Sequence, residues 1–478
     1  MSVLFWTHLL AISEWMIRLI VLPIIVLRKE RPATCLAWLA IVFFEPWIGL
    51  GAYLLVGENR LGRDRLKRRR RRRAVLETSE YPKLGSRRLD GAALEHESHP
   101  LMDLAEQVVG LPIVGGNQVA FYSNTDQVVD RLVEAIDRAT SHVHLLFYIF
   151  RDDYVGRRVA DALVRAQCRG AACRVLADAV ASRLMFRSLG RELRAQGVEI
   201  HPVLPVNLIR RPFARLDLRN HRKLAVIDGS VAFTGSQNIV EASYGHSRGG
   251  VWHDVMARIT GPVVHDLAGV FLEDWFHETG EVLDRPELFP PVAADGRVAM
   301  QVVPTGPDLP TEAFQAVLVE AIFRARRSVV ITSPYFIPSE AMLLALRLAV
   351  LRGVAVSLIV PRRSDHLLVD AAGSFYWEQL LHSGVHVYLF PEGLLHAKTL
   401  TIDNEFAMFG SANYDIRSFD LNFELNVLLQ GPEAVAELCM LQNEYMAMSN
   451  LAGFDDGPSR TWGGRLKANF AKLFSPLL

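Results

Sequence analysis

Two long apolar stretches open the chain, at residues 3–27 and 33–56, and the polar sequence RKERP separates them. Each is close to the ~20 residues that an α-helix needs to cross a bilayer. The pattern therefore predicts a two-helix transmembrane hairpin over residues 1–57. A secretory signal peptide is the competing interpretation. However, no basic segment precedes the first stretch, no small-residue cleavage site follows it, and a second apolar stretch comes next.

Three charged residues interrupt these stretches and bear on how deep they lie. Glu14 and Arg18 fall in the first stretch and Glu45 in the second. A charge at membrane depth is costly unless it is paired or lies near the interface. Glu14 and Arg18 are four residues apart on one helix face, so they can pair. A shorter and shallower first helix is the alternative.

A dense basic run, RLGRDRLKRRRRRRA, opens a predicted juxtamembrane segment and linker over residues 58–110. Basic residues beside an apolar span favour the cytoplasmic side and attract anionic lipid head groups. We therefore expect both termini in the cytoplasm, although the loop between the two stretches is basic as well. Nucleic-acid binding or a disordered arm is the alternative for such a run, but its place directly after a span favours lipid.

From about residue 111 the pattern changes to strands that alternate with helices. In the first half the apolar run VHLLFYIF precedes GRRVADALVRAQCRG, whose apolar residues recur at helical spacing, and CRVLAD follows as the next strand. The segments SVVITSPYF, EAMLLALRLAVLRG and VAVSLIV repeat this plan in the second half. The alternation predicts an α/β fold with helices on both faces of the sheet.

Two octets mark an internal duplication: HRKLAVID begins at His221, and HAKTLTID begins 175 positions later at His396. Six residues after each octet come GSQN and GSAN, and an acidic residue, Asp254 or Glu424, then opens a β-rich apolar run. A repeat of this length predicts two tandem α/β domains packed face to face. The predicted boundaries are domain 1 at 111–285, a linker at 286–300, domain 2 at 301–448 and an amphipathic tail at 449–478.

The candidate chemistry lies in the octets, since the formal net charge of zero gives no global bias toward a partner. Alternate side chains of a strand share a face, so His221 and Lys223 should point the same way, as should His396 and Lys398. Facing halves would gather these four with neutral donors. The phosphate-binding candidates that would join them are Ser236, Asn238, Ser411 and Asn413. Such donors suit a phosphate group, whose oxygen charge they stabilise.

Two histidines in one pocket suggest a nucleophile and a general acid/base. A carboxylate on the second ring nitrogen would hold each histidine in the required tautomer. Asp254 and Glu424 are the candidates for this role, with Glu424 expected to serve the histidine of its own half. Asp228 and Asp403 lie seven residues beyond the histidines, on the opposite strand face, so we expect them to fix structure rather than take part in chemistry. Two lysines would repel a divalent cation, which predicts no metal site.

The paired octets with GSQN and GSAN resemble the signature of the phospholipase D superfamily. RNHRKLAVID, ITSPYFIPSE, LLHAKTLTIDNEFAMFGSANYDIRSFDLNFELNV and PATCLAWLAIVFFEPWIGLGAYLLVG resemble segments of the bacterial cardiolipin synthase family. This resemblance covers nearly the whole chain. It implies that a phosphatidyl group passes between two phosphatidylglycerol molecules, giving cardiolipin and glycerol, through a phosphohistidine and without a cofactor. The catalytic set that it implies is His221, Lys223, Asp228, His396, Lys398 and Asp403.

By the same resemblance, His221 is the nucleophile and His396 the acid/base, at a bacterial inner membrane with phosphatidylglycerol and anionic lipids as partners. The near-symmetric halves do not themselves order the two histidines. A phospholipase D-type hydrolase, a nucleic-acid phosphodiesterase, a transferase using phosphatidylethanolamine and a silent membrane scaffold are the rivals. The apolar stretches argue against a soluble nucleic-acid substrate, and two intact octets argue against a scaffold.

Two further features allow two interpretations each. The final segment, RTWGGRLKANFAKLFSPLL, can form an amphipathic helix at the membrane interface or a helix that covers the second domain. Asp415 and Arg417 follow GSAN and can either line the pocket or form a structural ion pair.

Overall fold

The fold is given by a computed structural model. It describes residues 3–29, 32–57, 68, 99–205, 215, 217–244, 250–307, 313–391, 393–457 and 461–473. The chain divides into two compact units, a small one that contains the N-terminal helices and a large α/β body. The basic run, apart from Arg68, and most of the predicted linker lie outside the described residues, so their binding of anionic lipid stays a prediction.

The first apolar stretch forms one long helix, α1 (Val3–Arg28), whose segment Phe5–Arg28 is long and apolar enough to span a membrane. The second stretch is broken into three pieces: α2 (Pro32–Phe44), α3 (Pro46–Ala52) and a π-helical turn, Tyr53–Gly57. The break falls at Glu45, whose φ of −128° and ψ of 74° are non-helical because it precedes a proline. Where the sequence predicted two spanning helices, α1 is the one among the described residues that qualifies.

The predicted ion pair within α1 is present. Arg18 Nη2 lies 3.4 Å from Glu14 Oε2. Arg18 Nε also donates a hydrogen bond of 2.9 Å to the backbone oxygen of Phe43 on α2. Because pairing lowers the cost of placing charge in apolar surroundings, these two residues do not by themselves require α1 to lie shallow.

The first half of the α/β body follows the predicted alternation, after a preceding helix, α4 (His99–Val109). Its strands are β1 (Val114–Tyr122), β2 (His142–Phe147), β3 (Ala172–Asp178), β4 (Glu199–Val203), β5 (Lys223–Ile227), β6 (Val231–Gly235), β7 (Trp252–His253) and β8 (Met256–Thr260). Its helices are α5 (Thr125–Asp137), α6 (Tyr154–Cys168), α7 (Arg183–Arg187), α8 (Leu189–Ala195) and α9 (Val263–Thr279). Asn124 and Asp153 begin α5 and α6 because their side chains accept backbone N–H groups of the first helical turn.

The second half repeats the plan and begins with β9 inside the predicted linker. Its strands are β9 (Val298–Thr305), β10 (Ser328–Thr332), β11 (Phe336–Ile337), β12 (Ala355–Pro361), β13 (His386–Phe390), β14 (Leu394–Leu395), β15 (Thr399–Ile402), β16 (Phe406–Gly410), β17 (Tyr414–Asp415), β18 (Glu424–Gln430) and β19 (Asn450–Leu451). Its helices are α10 (Ala313–Arg324), α11 (Glu340–Leu351), α12 (Leu367–Leu381), α13 (Ile416–Asp420) and α14 (Pro432–Met448). Short 3₁₀ helices lie at Pro286–Leu288 and Phe454–Asp456.

One strand order runs through both halves: β19-β13-β12-β10-β15-β16-β18-β9-β1-β8-β6-β5-β2-β3-β4. Strands β10, β12 and β13 of the second half pair in parallel, as do β2, β3 and β4 of the first, and the remaining neighbours, including β13 and β19, are antiparallel. The halves meet where β9 pairs with β1. The two tandem α/β domains are present, and the β1–β9 pairing joins their sheets at one edge; that the domains pack face to face stays a prediction. An edge joined in this way has its backbone N–H and C=O groups paired.

A shared hydrophobic core also joins the halves. Leu224 and Phe271 of the first half are buried in the same cluster as Phe409 and Val427 of the second half. Burying an apolar side chain of this size stabilises a fold by roughly 1.5–3 kcal/mol. The two halves are therefore held together as one body beneath the residues of the candidate site.

The tail contains a helix, α15 (Trp462–Lys472), that packs on α12. Its Ala468 and Ala471 are buried, and Lys472 Nζ lies 4.1 Å from the ring centroid of Phe375 on α12. Its exposed apolar residues are Trp462, Leu466 and Phe470, continued by Leu473. The helix covers the second domain, as one of the two interpretations held, and it carries the exposed apolar row that the membrane interpretation requires.

Candidate active site

A short parallel pairing between the halves positions His396. Strand β14 pairs with β7, so that Leu395 lies opposite His253. His396 follows Leu395, and its N–H donates to the backbone oxygen of His253 at 2.8 Å. Asp254 follows His253 in the chain. The pairing therefore brings His396 beside a carboxylate of the first half.

The equivalent contact of the repeat positions His221. Asn220 forms a parallel β-bridge with Phe423 of the second half. The N–H of His221 donates to the backbone oxygen of Phe423 at 2.8 Å. Glu424 follows Phe423, so His221 in turn lies beside a carboxylate of the second half.

Both histidines bind these carboxylates through Nδ1. His221 Nδ1 lies 2.9 Å from Glu424 Oε2, and His396 Nδ1 lies 2.6 Å from Asp254 Oδ1. The expectation that Glu424 serves the histidine of its own half is wrong, because the backbone pairing crosses between the halves. A carboxylate at Nδ1 holds the proton there and leaves the Nε2 lone pair for chemistry.

The two serines support the carboxylates. Ser236 Oγ donates to Asp254 Oδ1, and Ser411 Oγ donates to Glu424 Oε2, both at 2.6 Å. Each hydroxyl proton is therefore directed at a carboxylate. The sequence predicted Ser236 and Ser411 as phosphate ligands, and the structure instead places them behind the histidine–carboxylate pairs.

Burial sets the protonation of both pairs. It lowers the pKa of His221 and of His396 to about 4, although Glu424 and Asp254 oppose this shift. Burial alone would raise the pKa of Asp254, but His396 and its other partners lower it to about 2. The pKa of Glu424 is likewise lowered, by His221, against the effect of burial. Near pH 7 each pair is thus a neutral imidazole beside a carboxylate.

Both lysines lie buried beneath the histidines. Lys223 Nζ donates to the backbone oxygen of His221 at 2.6 Å, and Lys398 Nζ to that of His396 at 2.5 Å. Burial lowers the pKa of Lys398 to about 7 and that of Lys223 well below its usual range. A bound anion would favour the charged form of both. Within the described ranges, no three His, Cys, Asp or Glu side chains are grouped as metal ligands.

A cavity of about 720 Å³ opens above the two histidines. His221, His396, Asn238 and Asn413 all line it. Asn238 Oδ1 accepts the N–H of Ile149 at 3.0 Å, and its buried Nδ2 has no hydrogen-bond partner among the described residues. The geometry therefore leaves Asn238 with a donor for a ligand in this cavity, in line with its predicted role.

The octet aspartates tie down turns away from the cavity. Asp228 accepts the N–H groups of Thr140, Ser141 and His142 at 2.8–2.9 Å. Asp403 accepts three consecutive N–H groups of residues 326–328 at 2.7–2.8 Å. Both fix the turn that leads into the strand beside their own, which is the structural role expected from their strand face.

Sequence reasoning missed two aromatic residues that hold the histidine rings. Tyr148 packs edge-on to His221 with ring centroids 4.9 Å apart, and Trp252 lies tilted against His396 at 4.5 Å. Both also line the cavity. Trp252 stands two residues before Asp254 in WHD, and this proximity was the available signal. Nothing in the sequence marks Tyr148 among the other apolar residues of its run.

Asp415 and Arg417 both line the cavity, which is one of their two expected placements. Asp415 also accepts the backbone N–H of Ser418 at 2.7 Å and so begins α13. Burial raises the pKa of Asp415 to about 6. Its carboxyl group is thus both a helix cap and part of the cavity wall.

The comparison with protein families decides the relationship. The family model described as "Cardiolipin synthase, PLD-like domain" matches residues 132–275 and 318–442, which contain both octets. The chain belongs to this cardiolipin synthase family. Cardiolipin synthase A of Proteus mirabilis (strain HI4320) is 35% identical over 463 residues, covering 95% of each chain. Cardiolipin synthase A of Pectobacterium carotovorum subsp. carotovorum (strain PC1) is 33% identical, covering 100% of this chain and 99% of its own.

A solved structure supports the same fold. The phosphatidylserine synthase of Haemophilus influenzae Rd KW20 superposes with a TM-score of 0.62 at 15% identity, covering 79% of this chain and 99% of its own. At this identity the likeness concerns the fold alone. The fold of that protein therefore resembles the fold of this chain over most of its length.

Proposed function

We propose that this protein is a cardiolipin synthase that joins two phosphatidylglycerol molecules and releases glycerol. One observation carries the proposal: two histidines, each bound at Nδ1 to a carboxylate of the other half, line the same cavity. This arrangement supplies one group to attack phosphorus and one to move a proton, within a single body. The full-length similarity to cardiolipin synthases supports the choice of lipid substrates.

In the first step, Nε2 of His221 attacks the phosphorus of the donor lipid. The bond between phosphorus and the head-group glycerol oxygen breaks, and His396 gives its Nε2 proton to that oxygen. His396 must begin this step protonated. The anionic phosphodiester that binds beside it would raise its pKa. The products are glycerol and a phosphatidyl group on His221.

The second step is the reverse of the first, with the acceptor's hydroxyl in place of the departed glycerol. His396, now neutral, takes the proton of a hydroxyl on the acceptor's glycerol head group, and that oxygen attacks phosphorus. The bond from phosphorus to His221 breaks, and cardiolipin forms. Lys223, Lys398 and the Asn238 amide would hold the phosphate oxygens, whose charge is greatest in the transition states of both steps.

The reaction would take place at the bacterial inner membrane, with the α/β body on the cytoplasmic side. Helix α1 supports a membrane anchor, since its 24-residue apolar segment contains an 18-residue window with a mean hydropathy of 2.1. The pieces α2 and α3 would complete a hairpin that enters the bilayer and returns. The basic run would bind anionic lipid, and the exposed apolar row of α15 would rest on the same interface.

Purified protein with phosphatidylglycerol vesicles in the presence of a chelator tests this function. Cardiolipin and glycerol in equal amounts are expected, and His221→Ala and His396→Ala should each abolish them. Phosphatidic acid alone would identify a hydrolase. A mixed product in vesicles with phosphatidylethanolamine would identify another acceptor. A folded protein without any turnover would leave only a scaffold role.

A further inference from the structure

The cavity walls of the two halves differ although the halves are repeats. The bridge between Phe150 and Ile239 in the first half corresponds to the pairing of Phe336 with Tyr414 in the second. Three positions beside these pairs are apolar in the first half and polar in the second. The equivalent positions are Ile149 and Tyr335, Val240 and Asp415, and Ala242 and Arg417. The duplication has therefore kept the histidines and their carboxylates in both halves, while these three positions differ between them.

On the second-half side of the cavity, four polar side chains form two hydrogen-bonded pairs. Tyr335 Oη donates to Asp365 Oδ1 at 2.5 Å. The Asn413 side chain hydrogen-bonds the carboxyl group of Asp415. All four side chains line the cavity that also contains both histidines. We refer to Tyr335, Asp365, Asn413 and Asp415 as the polar wall.

Unpartnered amide oxygens indicate that this side of the cavity receives a ligand. Asn413 and Asn422 are each only 7% exposed. The Oδ1 atom of each is buried and has no hydrogen-bond partner within the part of the chain that the structure describes. Both residues line the cavity. Since buried polar atoms are normally hydrogen-bonded, these two acceptors fit a ligand with hydroxyl groups.

We propose that the polar wall is a subsite for the vicinal diol of a glycerol head group, an inference that rests on the proposed function. Each hydroxyl of a diol donates one hydrogen bond and accepts others. The carboxylates and Asn413 Oδ1 would accept from the two hydroxyls. Burial raises the pKa of Asp415 to about 6, so this group can also donate when it is protonated. The apolar equivalents in the first half offer none of these contacts.

One subsite would serve both steps of the reaction. The leaving glycerol oxygen and the attacking glycerol oxygen both exchange a proton with the same histidine. They must therefore occupy the same position at phosphorus. The polar wall would hold the hydroxyls of the departing head group first and the acceptor's middle hydroxyl second, because the acceptor's terminal hydroxyl gives its proton to His396 and attacks phosphorus. Free glycerol and the head group of phosphatidylglycerol present the same diol, and the lipid differs by its attached phosphate.

A competition experiment tests the subsite. The donor is phosphatidyl-p-nitrophenol, whose leaving group needs no diol contact. In one arm, glycerol competes with equimolar 1,3-propanediol, which lacks the middle hydroxyl. In the other, phosphatidylglycerol competes with phosphatidyl-1,3-propanediol. Mass spectrometry gives the product ratio, which does not depend on how much enzyme is active.

The wild-type protein should favour the acceptor with the vicinal diol over the 1,3-propanediol acceptor in at least one arm. That arm identifies the source of the head group. Asp415→Asn, which retains the cap of α13, and Tyr335→Phe should each lower this preference by about tenfold, because a site built to bind a hydroxyl discriminates strongly. Asp161→Asn, at an exposed position on α6, is the control and should keep the wild-type ratio.

Two results would overturn the subsite: a wild-type protein without preference in either arm, or ratios within twofold of wild type in both variants. Both results can be distinguished from a failure of the proposed function. A wild-type protein that transfers to glycerol but makes no cardiolipin from phosphatidylglycerol would refute the synthase assignment. The variant ratios in the glycerol arm would then still decide on the subsite.

Discussion

At the scale of single residues, each histidine depends on the other half of the molecule for its tautomer. Glu424 lies at Nδ1 of His221, and Asp254 lies at Nδ1 of His396. An imidazole protonated at Nδ1 presents its Nε2 lone pair, and without the carboxylate the other tautomer becomes available. Neither half therefore contains a complete histidine–carboxylate pair, and the site exists only when both are assembled.

This crossing predicts which variants should behave alike. Glu424→Gln should lose the same step of the reaction as His221→Ala, and Asp254→Asn the same step as His396→Ala. Each amide leaves the histidine that it contacts in the wrong tautomer. With phosphatidyl-p-nitrophenol as donor, the rate of the first-turnover release of nitrophenol should fall by roughly 10³-fold or more in Glu424→Gln. It should fall much less in Asp254→Asn, since nitrophenolate leaves without a proton, while transfer to lipid is lost in both. If Glu424→Gln instead matched His396→Ala, the crossed arrangement would be refuted.

From the pKa of Lys398 we predict that kcat/KM decreases at high pH. Burial lowers its pKa to about 7, and under the proposed function its charged form is the one that would bind phosphate. As pH rises through 7 in the free enzyme, the ammonium group is lost, so kcat/KM should fall by about tenfold per pH unit. In Lys398→Arg the guanidinium keeps its charge. The decrease in kcat/KM with rising pH should therefore be absent, even if this variant is less active overall. A wild-type profile that is flat to pH 9 would contradict this assignment.

At the scale of elements, the octets combine a connection, a strand and a turn. The strands begin at Lys223 and Thr399, so each histidine belongs to the connection that pairs with the other half. The aspartates end the octets with φ near +50°, at 49° for Asp228 and 55° for Asp403. Aspartate tolerates this conformation better than most residues, and its carboxylate can accept nearby backbone N–H groups.

The role of the aspartates can be separated from catalysis. Asp228→Ala removes the acceptor of three backbone N–H groups, and we expect the free energy of unfolding to fall by about 2–4 kcal/mol. Asp228→Asn keeps one acceptor oxygen and tolerates the positive φ, so its loss should be smaller. Thermal unfolding in detergent measures both. A stable Asp228→Ala protein that lacked turnover would show that the aspartate acts in the chemistry.

The sequence predicted these elements in part, and the reasons for its failures are physical. The repeated octets predicted the paired α/β domains and the gathering of both histidines. They could not show which carboxylate serves which histidine, because both halves have nearly the same spacing and the choice depends on backbone pairing between distant segments. The break in the second apolar stretch was readable, since Glu45 precedes a proline. The sequence did not show that β9 begins inside the proline-rich linker.

At the scale of the whole molecule, one buried cation links the halves beside the site. Arg222, inside the first octet, binds Asp274 at 2.8 Å. Its guanidinium also donates to the backbone oxygens of Thr305 and Glu424 in the second half, both at 3.1 Å. Arg222 and Asp274 are buried, with side chains 5% and 1% exposed. With the β1–β9 pairing and the shared core, this contact implies that the two halves unfold together.

Arg222→Ala should therefore destabilise both halves, although Arg222 belongs to the first. Removing one partner of a buried ion pair costs about 3–5 kcal/mol, because the other charge stays buried without compensation. Hydrogen exchange of β3 and β12, one strand from each half, should report the same decrease in the free energy of opening. Arg165→Ala is the matched control, since it breaks a half-exposed pair with Asp137 and should cost less than about 1 kcal/mol. A decrease confined to β3 would mean that the two halves unfold separately.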